Sequence, residues 1–136
     1  MQYVRGSTTT PVSGVTVNAG AQSTAAITTQ DTDLELYDQI SLTVTMASST
    51  TTLAPWAVYL IPDTPDDATA GSVVTPPSGV YLVAQWPVQS GTSAQVFTAS
   101  GIPLPPGEFT YVVYNGTATN SSASSVSLSR RPYHVT

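Results

Sequence analysis

Between residues 33 and 46 the large aliphatic side chains fall on alternate positions. Leu34, Leu36, Ile40, Leu42, Val44 and Met46 are even, while Asp33, Glu35, Tyr37, Gln39, Ser41, Thr43 and Thr45 are odd. Asp38 alone breaks the apolar series. A period of two kept up over this distance puts one side on a core and the other in water, which describes a half-buried β-strand, or two strands joined at a bend near Tyr37 and Asp38. A helix would scatter the same side chains around a cylinder and leave no apolar face. A chain carrying this segment is committed to a sheet with one buried side.

The remaining segments read the same way. Residues 56–61 are apolar on both faces and bracketed by Pro55 and Pro62, as expected of a short central strand. Residues 62–78, with Asp63, Asp66 and Asp67 among four prolines, form a long loop. Residues 79–86 give a strand with Val80, Leu82, Ala84 and Trp86 on one side and Tyr81 and Val83 on the other. Residues 93–99 alternate without declaring which face is inside. After Leu104-Pro105-Pro106-Gly107, residues 108–114 put Phe109, Tyr111 and Val113 on one face, and Asn115-Gly116 signals a turn. Residues 123–128 make a last strand with Val126 and Leu128 inward, and Pro132 is expected to stop its ladder. Residues 1–24 are small and polar around Val12, Val15 and Val17, and read as an extended N-terminal arm preceding a sandwich domain over 25–136. Six to eight short strands about ten residues apart, punctuated by Pro and Gly, specify an all-β protein, an antiparallel β-sandwich of jelly-roll or immunoglobulin-like type.

Composition narrows the function. The 136 residues make one domain, with 22 Thr and 17 Ser suited to strands. Charged residues are 8% of the chain, against about 25% in ordinary soluble proteins, and lysine is absent. A net charge of -5 repels phosphate backbones, so no nucleic-acid partner is expected. No apolar run reaches the length of a signal-peptide core or a membrane helix, so no membrane partner and synthesis in the cytoplasm are expected. Cysteine is absent, which removes disulfides and thiolate chemistry.

Catalytic signals are sparse. His134 is the only histidine, and no nucleophile elbow accompanies it. Asp31, Asp33 and Glu35 would line one side of a strand, but Leu36 stands where a calcium loop of the EF-hand type needs glycine. Asp63, Asp66 and Asp67 are ordinary turn chemistry. We therefore expect no catalytic residue, no cofactor and no metal, and not an enzyme. Trp56, Trp86 and the seven tyrosines are the residues a carbohydrate-binding module would use as platforms, although both tryptophans fall in phase with aliphatic neighbours, as core residues do. Asn115-Gly-Thr and Asn120-Ser-Ser match the glycosylation pattern but read as loop residues.

One absence is informative. Sandwiches guard their edges with charge, yet residues 40–45, 80–86 and 109–114 contain none, so a homo-oligomer covering an uncharged edge is expected. Candidate partner-docking residues are Val12, Val15 and Val17 in the arm and Arg130, Arg131, Tyr133 and His134 at the end of the last strand. Consecutive arginines on an extended strand face opposite ways, so one is expected to anchor the body of its own subunit and the other to reach a partner's carboxylate.

Ile102-Pro-Leu-Pro-Pro-Gly-Glu-Phe-Thr-Tyr-Val-Val-Tyr-Asn-Gly-Thr, followed by Ser125-Val-Ser-Leu-Ser-Arg-Arg-Pro-Tyr, resembles the ending of small virion proteins of tailed bacteriophages, notably capsid decoration or cement proteins. In that pattern a Leu-Pro-x-Gly turn leads into an alternating strand ending in Asn, and a hairpin returns to a terminal strand. The resemblance implies a non-enzymatic protein on the outer surface of the virion, a dimer or trimer that clamps neighbouring copies of the major capsid protein after the shell expands. A carbohydrate-binding sandwich and a tail or neck component of the virion are the alternatives.

Overall fold

A computed structural model describes residues 2–24, 28–29, 36–47, 55–63, 74–87, 89, 91–117 and 125–136. Among them run β1 (Tyr3–Arg5), β2 (Thr9–Thr16), β3 (Gln22–Thr24), β4 (Thr28–Thr29), β5 (Tyr37–Thr45), β6 (Pro55–Pro62), β7 (Leu82–Pro87), β8 (Gln95–Pro103), β9 (Glu108–Asn115) and β10 (Ser125–Val135), with one 3₁₀ turn at Gly79–Tyr81. The strands form two antiparallel sheets. In the first, β10 lies between β5 and a broken edge made of β1 and β2, and β8 closes the other side. In the second, β9 lies between β6 and a broken edge made of β3 and β4, and β7 closes the other side.

Treating each broken edge as one position gives an eight-position chain in which the first pairs with the last, the second with the seventh, the third with the sixth and the fourth with the fifth. A long hairpin folded over on itself produces that pairing, and it is the jelly roll rather than the immunoglobulin arrangement. The same topology explains why Asn115-Gly116 does not open a hairpin between β9 and β10, which belong to opposite sheets. At that corner Asn115 is buried, its side-chain amide donating to the Val17 carbonyl at 3.0 Å and its Oδ1 accepting from the Thr117 N–H at 3.0 Å and from the Thr117 hydroxyl. Burial removes Asn115 from consideration as a glycan acceptor, and Asn120 lies outside the described residues.

The alternation in β5 appears as expected: Ile40, Leu42, Val44 and Met46 are buried between the sheets. Val58, Leu60, Phe109, Tyr111, Val113, Val126 and Leu128 meet them from the other strands. β6 is an interior strand apolar on both faces. Trp56, Val58 and Leu60 enter the main core, while Ala57, Tyr59 and Ile61 join Val112 on the other face of the sheet, where Tyr81 and Tyr114 pack against them. Both tryptophans serve the core, Trp56 fully enclosed and Trp86 stacked on Phe97 at 5.5 Å.

Four expectations are corrected. Residues 1–24 do not form an arm outside the domain: β1 and β2 pair with β10 and β3 pairs with β9, so this stretch supplies an edge to each sheet. Val12 and Val17 belong to the main core and Val15 packs against it, Val12 and Val15 from the edge strand and Val17 from the residue just past its end. Val80 and Leu82 are exposed rather than inward, since the 3₁₀ turn and a bulge in the β6–β7 pairing break the alternation before it reaches Ala84 and Trp86. Pro132 does not stop β10, which continues to Val135. In an antiparallel strand a residue's N–H and C=O point to the same side. The Pro132 carbonyl accepts from Gly6 N–H at 2.8 Å, so its missing donor falls at the break between β1 and β2, where no ladder is interrupted.

Candidate functional site

The alternation of β10 splits the residues proposed for docking. Arg130, Pro132 and His134 turn toward the interior, whereas Arg131 and Tyr133 turn to the outer face of the first sheet. Arg130 is 5% exposed and its guanidinium grips Asp38, with Nε donating to Oδ2 at 2.6 Å and Nη2 donating to Oδ1 at 2.9 Å. The Tyr111 hydroxyl donates to the same carboxylate at 2.5 Å, and the guanidinium lies 5.3 Å from the centroid of the Phe109 ring. A bidentate ion pair over an aromatic face is a strong arrangement for two charges out of water. Arg130 is thus the arginine of the pair that anchors its own subunit, and its place among the docking residues is corrected. Burial, and then the neighbouring Asp38 carboxylate, push the Tyr111 hydroxyl far above the ordinary tyrosine range, the nearby guanidinium only partly opposing them. Asp38, the lone polar intruder on the apolar side of β5, was the sequence signal for this network.

On the outer face, opposite the buried pair, the rings of Tyr3, Tyr133 and Tyr37 form a staircase across β1, β10 and β5. Tyr133 meets Tyr3 edge-on at 5.9 Å and stacks on Tyr37 at 5.6 Å. Beside them a cleft of about 210 Å³ is lined by Tyr3, Arg5, Gln39, Ser100 and Tyr133, and so crosses four strands. A second hollow of about 220 Å³ shares Gln39 and is lined on this face by Arg131, Ser41, Ser129 and Thr98. The Arg131 guanidinium is held along the surface by Nε donating to the Gly6 carbonyl at 3.1 Å.

A bulge shapes the cleft. On β8 the inward side chains run Gln95, Phe97 and Ala99 and then skip to Ile102, so Ser100 and Gly101 together face the single residue Gln39 of β5. Gly101 sits at φ 73°, the left-handed conformation that such a bulge needs and that a side chain resists. A Cβ there would lie 3.9 Å from the Tyr133 hydroxyl. Sequence reading missed Tyr3, Arg5, Tyr37, Gln39 and Ser100 because they come together only through the pairing of β1 and β5 with β10 and of β8 with β5.

His134 is half-buried and pairs in register with Val4. Among the described residues no three His, Asp or Glu side chains gather as metal ligands would. Asp31, Asp33, Glu35, Asp66 and Asp67 lie outside the described residues. No helix is long and apolar enough to cross a membrane.

No protein-family model and no curated protein sequence matches the chain. Among solved structures, a chain from the structure of infectious bursal disease virus Gx strain superposes with a TM-score of 0.54 at 11% identity. The match covers 98% of this chain and 32% of that one, so the chain spans about a third of its neighbour's length. At that identity the likeness is one of fold, a β-sandwich shared over nearly the whole of the present chain.

Proposed function

We propose that the chain is a non-enzymatic structural component of a virion, a capsid decoration or cement protein that acts as a dimer or trimer on the outer surface of an assembled head and binds the major capsid protein. The observation that carries this reading is the state of the sheet edges. β2, β7 and β8 all lie at edges and none contains a charged side chain, although an exposed edge is normally protected by charge against pairing with another chain. The sandwich likeness to a chain from a virus structure supports the same reading. Of the uncharged segments singled out from sequence, β5 and β9 are interior strands, so the argument rests on the true edges.

Repetition would supply affinity, since several modest contacts per oligomer act together as avidity. The test compares particles made with and without the chain. Particles containing it should be labelled on their outer surface by an antibody to the chain, and those lacking it should release their contents at lower temperature. Absence of the chain from purified particles would overturn the reading.

A further inference from the structure

We propose that the outer face of the first sheet is a binding groove for an acidic polysaccharide, seated on the cleft formed by Tyr3, Arg5, Gln39, Ser100 and Tyr133 and extending over Arg131. This goes beyond the assembly role and does not depend on it.

Charge is distributed unevenly over the molecule. The chain has eight carboxylates and three arginines, yet the described strands of the first sheet hold all three arginines and one carboxylate, Asp38, which is turned inward onto Arg130. Among the described residues the strands of the outer face therefore carry Arg5 and Arg131 and no acidic side chain. A surface of this sign on a protein of net charge -5 selects an anionic ligand.

The chemistry between the two guanidiniums favours a sugar over a protein segment. Protein interfaces have apolar centres depleted in serine, whereas this groove is floored by Ser100, Gln39 and the hydroxyls of the adjoining hollow. Hydroxyl and amide groups match the hydroxyls of a saccharide, and exposed tyrosine rings offer flat apolar faces to its C–H groups. Tyr3 is 58% exposed and is braced edge-on by Tyr133, so a ring is presented to solvent in a held orientation. Two adjacent hollows sharing Gln39 suit consecutive sugar units, with a carboxylate of the ligand on Arg5 and another within reach of Arg131.

The experiment titrates the isotopically labelled full chain with hexagalacturonate and, separately, with neutral maltohexaose, following amide and side-chain signals by NMR. Hexagalacturonate should shift the signals of Tyr3, Arg5, Gln39, Ser100 and Tyr133 saturably, with an affinity that falls as salt rises, and maltohexaose should bind at least tenfold more weakly. Arg5→Gln and Tyr3→Ala, both at exposed positions, should each weaken binding about tenfold or more while leaving the spectrum of the core unchanged. Val80→Ser, exposed at a distance on the other sheet's side, should bind like the parent. Absence of saturable shifts with hexagalacturonate, equal binding of the neutral sugar, or equal binding by Arg5→Gln would each overturn the proposal. So would self-association of the parent that Arg5→Gln abolishes, which would give the groove to a second copy.

Discussion

Asp38 and Arg130 illustrate how a residue's role depends on the direction in which its strand turns it. Removing either leaves the other charged and buried, a loss of about 3 to 5 kcal/mol for such pairs. We expect Asp38→Ala and Arg130→Ala each to lower stability by that order in urea unfolding, whereas replacing both together by Leu and Met should recover much of it. A double mutant as unstable as the sum of the singles would contradict the pairing. Tyr111 adds a dependence on alkali. In the unfolded chain a tyrosine ionises near pH 10, while burial and Asp38 keep the folded Tyr111 protonated well above that. Stability from this group is therefore intact below about pH 10 and falls above it, by about 1.4 kcal/mol per pH unit. Tyr111→Phe should flatten the alkaline limb of a stability-against-pH curve, at the cost of one donor to Asp38; an unchanged slope would show that Tyr111 is not the group responsible.

At the level of strands, the residues expected to form an arm are built into both sheets. Deleting residues 1–24 would strip β10 of its edge partners, leave β9 only the short β4 on that side and remove Val12 and Val17 from the core. The truncated chain should aggregate or unfold, as read by circular dichroism and light scattering; a soluble, cooperatively folded product would show that these edges are not needed. Alternation made β5 and β9 legible in the sequence, and an unbroken apolar run made β6 legible, because each lies inside a sheet and meets the core along its length. The edge strands over 82–87 and 95–103 were legible as strands but not in which side they bury, and the edge over 1–24 was not legible. β2 holds Pro11 and a left-handed Gly14 at φ 57°, and its pairing with β10 shifts register twice, so no clean period survives. β7 and β8 each carry a bulge that resets their parity. The candidate groove was hidden for a related reason, since Arg131 and Tyr133 were visible at the end of β10 but their neighbours come from β1, β5 and β8.

For the whole molecule, the absence of charge on β8 predicts where association occurs. Val96 and Thr98 are exposed on this edge strand. If copies associate along this edge as proposed, lysine at both positions should leave the fold intact and give monomers in sedimentation where the parent gives a larger species, because an edge bearing cations resists pairing. Unaltered association would move the interface to another face. The choice of jelly roll over immunoglobulin topology also belongs to this scale: it depends on which strands cross between sheets, and local periodicity carries no record of that.

The folded-over hairpin has one more consequence, for the order in which the molecule can assemble. β10 is the last strand of the chain, yet it is hydrogen-bonded on one side to β1 and β2 and on the other to β5. During synthesis the first sheet lacks an interior strand until β10 arrives, so β2 and β5 wait with unpaired and uncharged backbone. Pairings between the two ends of the sequence are the slow kind, closing in milliseconds to seconds. The nascent chain thus passes through an interval in which strand edges that β10 later covers are open before its own sheet is complete, and its yield depends on how crowded it is with other copies at that moment.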